Sequence, residues 1–190
     1  MSTVTNSRLA RLGELMLPGA GIGAAAGVMA GLMTLGAGLE PGLAAVNGLT
    51  LGISMALFGG VYTLLCARGI TRVGVFAPAA LYWLIAFPVS RIVQEASAAV
   101  YLTGAPGLSD DLWAFAAYNA LLAPGLAFGF IWLHEQFVPP WLLRIRGHNP
   151  MAAVLAEAYL VYAARAYEQK QRRDAVRETR KKQRVAGASD

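Results

Sequence analysis

Arg91, Gln94 and Glu95 fall within about one helical turn of each other inside an otherwise apolar stretch. Ionisable groups at membrane depth are costly, so such a set marks function by default, here the lining of a translocation or small-solute path. Asn47 and Asn119, each a turn or two inside the same face, extend it to a polar cluster of Asn47, Arg91, Gln94, Glu95 and Asn119. Arg91 lies about 16 residues after Val75, near the far edge of the hydrocarbon, where its stem can snorkel to the headgroups. Satisfied interfacial pairing competes with a transport site at this position. His134-Glu135 invites a general-base reading, but no Ser, Cys or second His accompanies the pair at useful spacing. The pair reads as interfacial, no catalytic residue is assigned, and the chain is not expected to be an enzyme.

Metal and cofactor chemistry finds little support. Cys66 is the single cysteine, and His134 and His148 are the only histidines, too few ligands for a zinc or haem site. No metal and no cofactor is expected.

The elements that must position these residues follow from composition. Of 190 residues, 56% are hydrophobic and 14% charged, against roughly a quarter charged in soluble domains. Between Arg72 and Arg144 the only cation is Arg91, whereas nine of the 16 Lys and Arg residues fall from Arg165 to Arg184. The middle suits hydrocarbon and the end suits water. Arg8 and Arg11 before an apolar run imitate a signal peptide, but the run from about Leu15 to Leu39 is too long for one, which predicts an uncleaved first transmembrane helix.

An all-α polytopic membrane protein is therefore expected: a four-transmembrane-helix bundle with a C-terminal amphipathic to basic helix. The spans are read as Pro18 to Leu39, with Pro18 as a helix start, Leu43 to Ala67, Val75 to Leu102, and Leu112 to Leu133. The third is long enough to tilt or project. Ser109, Asp110 and Asp111 supply N-cap chemistry for the fourth span, and Pro139-Pro140 closes it. Asn149-Pro150 then reads as N-cap and first helical residue of a last helix reaching Arg184. Met151 to Tyr167 contains Glu157 and Arg165 and is short for a span, so an interfacial or partner-docked helix is expected there. The organisation is residues 1–17 as an N-terminal segment, 18–141 as the membrane domain and 142–190 as an extramembrane tail. Arg8 and Arg11, Arg68 and Arg72, and the Arg144-to-Arg184 tail fall on one side under the positive-inside rule.

Two spans carry packing signals. Gly19, Gly23, Gly27 and Gly31 recur every four residues, and Gly48, Gly52, Ala56 and Gly60 repeat the pattern in the second span. Both lines let another backbone approach closely, which suits a tight hairpin or a homodimer. Trp113, Tyr118, Trp132 and Trp141 sit near the ends of the fourth span as an aromatic belt. Lys170, Arg172, Arg173, Arg177, Arg180, Lys181, Lys182 and Arg184 make a strongly basic arm, offset only by Glu168, Asp174 and Glu178. Anionic lipid or a partner suits the arm; nucleic acid is disfavoured because no aromatics interleave its cations.

Gly59-Gly60-Val61-Tyr62-Thr63-Leu64-Leu65-Cys66, followed by Arg68 and Arg72, resembles the second helix of the mitochondrial preprotein and amino-acid transporter family. That family comprises four-helix inner-membrane translocase subunits and a related accessory subunit of respiratory complex I. The resemblance covers about the first 75 residues, and Val75, Phe76, Ala77 and Pro78 depart from the family pattern. It implies a mitochondrial inner-membrane location, with a bacterial plasma membrane otherwise, and a respiratory-chain or translocase assembly with other membrane subunits as partners. The functional expectation is a non-catalytic accessory or assembly subunit of a multisubunit membrane complex, the alternative a translocase or small-solute transport component.

Overall fold

In lipid every backbone N–H and C=O must be satisfied within the protein, so long apolar segments fold as helices. The computed structural model describes residues 2–108 and 110–186, with side chains described over 7–108 and 110–179. Five helices follow in chain order: α1 (Ser2–Gly36), α2 (Pro41–Ala67), α3 (Phe76–Thr103), α4 (Leu112–Ile145) and α5 (Pro150–Ala186). Four of them, α1 to α4, are long and apolar enough to cross a membrane. The chain is thus an all-α, polytopic membrane bundle with a C-terminal helix. Short connections make sequential neighbours antiparallel. The packed pairs α1 with α2, α2 with α3, α3 with α4 and α4 with α1 close a ring, and α5 lies against α4 and α2.

The glycine lines face each other across the α1–α2 contact. A side chain at Gly23 would collide with the Met55 backbone, one at Gly27 with Gly48 and Gly52, and one at Gly19 with Gly59 and Thr63. A Cβ at Gly31 would sit 3.2 Å from the Ala44 carbonyl oxygen, and one at Gly60 would meet Met16. The structure therefore spends both lines on one intramolecular hairpin whose backbones touch. On the outer faces Val28, Ile53, Ile85, Leu121 and Phe128 remain exposed, as lipid-facing positions require. Inside, Trp83 is fully buried 4.6 Å from the Phe130 ring, with Tyr82 and Tyr62 completing an aromatic row.

Two sequence expectations need correction. Pro18 does not start a helix; it lies in the middle of α1. Proline removes the N–H that would bond the carbonyl four residues back, that of Glu14. Trp141 Nε1 donates to this same carbonyl at 2.7 Å, so tertiary structure replaces the missing donor. Second, Pro139-Pro140 does not end α4, which runs to Ile145. Val138, Leu142 and Ile145 are buried on both sides of the prolines, and that packing carries the helix through. Near the end of α3, Tyr101 donates to Glu40 Oε1 at 3.0 Å, which ties the last turn to the α1–α2 connection. Gly104, at φ 77, then closes α3 in the left-handed conformation that glycine adopts at no steric cost.

The cap assignments hold for Asp111, whose Oδ1 accepts from Ala114 N–H at 2.8 Å, and for Asn149, whose Oδ1 accepts from Ala152 N–H at 3.3 Å. Ser109 lies outside the described residues.

Candidate functional site

Of the five residues of the polar cluster, the structure joins three. Arg91 Nε donates to Asn119 Oδ1 at 3.3 Å, and Arg91 also bonds Gln94 Oε1 one turn along α3. Asn119 passes its own N–H to the Phe115 carbonyl at 2.8 Å, and the Phe115 ring lies 6.0 Å from the guanidinium carbon. Gln94 and Asn119 are buried while Arg91 is half-buried. The guanidinium therefore has two amide oxygens and a ring face as partners, which is how a charge persists at depth. Glu95, half-buried, makes no hydrogen bond or ion pair among the described residues. Asn47 turns to α1, where it donates to Thr34 Oγ1 at 3.3 Å, and Thr34 in turn bonds the Ala30 carbonyl. Helix rotation decides this: Asn47 lies on the α1-facing side of α2, not on the side facing Arg91.

A second polar centre was not legible from the sequence. His134, which the sequence reading places at an interface, is buried at 3% exposure. Its Nε2 lies 3.0 Å from Thr63 Oγ1 on α2, and its Nδ1 lies 2.9 Å from the Tyr159 hydroxyl on α5. Thr63 donates its own proton to the Gly59 carbonyl at 3.3 Å. His134 thus bridges Thr63 on one side and Tyr159 on the other, each ring nitrogen engaged by one hydroxyl. One imidazole links α2, α4 and α5 through these two hydrogen bonds. Gly19 leaves the room for it, since a side chain there would strike the Thr63 hydroxyl. Tyr62 packs edge-on against the imidazole at 5.3 Å. Burial raises the Tyr159 phenol above its usual range, so it stays protonated and able to donate.

Hydroxyl, imidazole and phenol in a row share the order of a nucleophile, base and orienting group. Thr63 is 0% exposed, however, so no substrate carbonyl reaches its oxygen in this conformation. What the geometry accomplishes is attachment of α5 to the bundle. The signal for Tyr159 lay in the spacing of Ala152, Leu155, Ala156 and Tyr159, the buried stripe of α5. Thr63 had no comparable signal, because its partner is 71 residues away.

A third group gathers where α1, α4 and α5 meet. Besides the Trp141 bond to Glu14, His148 Nε2 contacts Glu14 Oε2 at 3.0 Å and Asn149 Nδ2 donates to the Arg11 carbonyl at 2.7 Å. Trp141 is therefore a half-buried hydrogen-bond donor, unlike Trp113, Tyr118 and Trp132, which are exposed as a belt requires. Glu135 is half-buried and lines a cleft of about 340 Å³ between α4 and α5 with Pro139, Tyr159 and Tyr162. On the other side of α5 the Tyr162 ring covers Gly74 of the α2–α3 loop.

Beyond this docked half, α5 leaves the bundle. Every residue from Ala166 to Thr179 is exposed, Lys170, Arg172, Arg173 and Arg177 among them. Arg180, Lys181, Lys182 and Arg184 continue the helix, their side chains outside the described residues. No protein-family model matches this chain, and comparison with curated proteins and with solved structures likewise finds no match.

Proposed function

We propose that the chain is a non-catalytic accessory or assembly subunit of a multisubunit membrane complex. The observation that carries this reading is the split character of α5. Its first half is fastened to the bundle through Tyr159, Leu155 and Ala156, and its second half extends as a basic helix, exposed over 166–179. From Ala166 to Ala186 that arm spans roughly 30 Å at about 1.5 Å per residue. A solvated helix of this length gains little stability alone, so a surface that engages it is the natural complement. Other membrane subunits and anionic lipid are the partners whose chemistry suits it. A mitochondrial inner-membrane complex of the respiratory chain or a translocase belongs to this proposal through the family resemblance, and a bacterial plasma membrane is the other setting.

The transport alternative asks Arg91 to serve a passing solute. Its guanidinium is already engaged by Asn119, Gln94 and Phe115, and Asn47 bonds Thr34, which favours structural pairing.

Native purification of the full-length protein followed by mass spectrometry of co-migrating subunits tests the assignment. Stoichiometric partners that dissociate when residues after Tyr167 are deleted are the expected result. A tail-deleted chain that retains every partner at raised salt would remove the arm from the assembly role. A protein that purifies alone and conducts solute when reconstituted would replace the reading by the transport alternative.

A further inference from the structure

Three arginines, two from α1 and one from the end of α2, line one cleft at the end of the bundle. Arg8 and Arg11 stand one turn apart on α1, and Arg68 follows the last residue of α2. With Leu12, Asn149, Pro150 and Met151 they enclose about 350 Å³. No carboxylate is part of that lining. Glu14, the acid nearest on α1, is occupied by His148 at 3.0 Å. Among the described residues none of the three arginines forms a salt bridge. Like charges gathered without a counter-charge repel, and the arrangement gains most from an anion that contacts several at once.

The cleft is held in place from both sides. Asn149, 1% exposed, donates to the Arg11 carbonyl and accepts from the Ala152 N–H, which locks the first turn of α5 against α1. That turn adds the partial positive charge of a helix N-terminus. The rest of the lining, Leu12, Pro150 and Met151, is apolar. The position adds a further constraint, because the cleft lies where α1 and α2 reach their charged ends, at headgroup level for a bundle in lipid.

We infer that this cleft binds the phosphate group of an anionic phospholipid, held by Arg8, Arg11 and Arg68 at the start of α5, with its acyl region against Leu12 and Met151. Free phosphate offers the same charge without an apolar part, and the apolar lining favours the lipid. The site is independent of whether the chain joins a larger complex. It is also distinct from the exposed tail, where Lys170, Arg172, Arg173 and Arg177 lie on one solvated helix.

The test uses full-length protein in phosphatidylcholine nanodiscs, with phosphatidylglycerol titrated in and thermal unfolding followed. Wild type is expected to show a saturable rise in Tm. The variant Arg8→Gln/Arg11→Gln/Arg68→Gln should bind at least about tenfold more weakly, since one charge-assisted hydrogen bond alone is worth about that factor. A control with Lys170→Gln, Arg172→Gln and Arg173→Gln should weaken binding less than the cleft variant does. Arg68→Gln alone, in an exposed connection, serves if the triple variant does not fold, and native mass spectrometry of retained phosphatidylglycerol gives a second readout. A wild-type response in the arginine variants, or a loss in the tail control as large as in the cleft variant, overturns the site. A full shift with inorganic phosphate and none with phosphatidylglycerol overturns the lipid assignment.

Discussion

Replacing Trp141 by Phe keeps an aromatic ring in the α1–α4 contact and removes one N–H. That N–H is the 2.7 Å donor to the Glu14 carbonyl, whose helical donor is absent because residue 18 is proline. The adjoining Leu15 is fully buried, so the carbonyl sits at the edge of a dry contact. A typical hydrogen bond contributes about 1 kcal/mol net, and leaving a buried acceptor unpaired costs about 1–3 kcal/mol. Because Glu14 and Trp141 are half-buried, the expected loss is about 1–2 kcal/mol. The decisive measurement is a double-mutant cycle with Pro18→Ala, which restores an amide N–H aimed at the same carbonyl. Trp141→Phe should cost less in the Pro18→Ala background, giving a coupling of about 1 kcal/mol. Equilibrium unfolding of the four purified proteins in one detergent, by denaturant titration, supplies the numbers. Additivity within about 0.5 kcal/mol would refute the claim that the indole replaces the proline's missing donor.

Gly27→Leu should destabilise the bundle by at least about 1–3 kcal/mol through overpacking, because a side chain there meets the Gly48 and Gly52 backbones, whereas Gly21→Leu, with open space around it, should not; thermal unfolding of both variants compares them. Arg91→Ala should lower stability by about 1–3 kcal/mol by leaving Asn119 Oδ1 and Gln94 Oε1 without their donor, and an unchanged unfolding midpoint would reduce Arg91 to a snorkelling surface residue. Tyr159→Phe should loosen α5, read as faster amide exchange over 150–165, since His134 Nδ1 loses its hydrogen-bond partner. The same residue gives a pH dependence. Its phenol is raised in the folded state by burial, so the unfolded chain releases that proton first, and stability present below about pH 10 falls as pH rises above it. Tyr159→Phe should make this alkaline decline shallower in a pH series of unfolding midpoints, and an unchanged slope would count against a buried, protonated Tyr159.

The number of long apolar helices and the helical class were legible in the sequence, because a long apolar run in hydrocarbon satisfies its backbone as a helix. Gly19, Gly23, Gly27 and Gly31 likewise announced a close backbone contact, since four-residue spacing places them on one face whatever the partner is. The caps at Asp111 and Asn149 were readable for a similar reason: a cap acts on its own helix within three residues. Polar pairing was different. Asn47 and Arg91 carry the right chemistry for one cluster, yet Asn47 bonds Thr34, because the rotation of α2 about its axis points it at α1. His134 looked interfacial beside Glu135, and only the meeting of α2, α4 and α5 supplies Thr63 and Tyr159 as its partners. Pro18 and Pro139-Pro140 read as helix ends by local rules, and contacts made far along the chain carried the helices through them, Trp141 reaching Glu14 across 127 residues. Hydropathy and spacing encode what each helix must do with its own backbone and its own faces. Which distant side chain meets which is settled by depth, rotation and the packing of neighbouring helices, and that exists only once the bundle has formed.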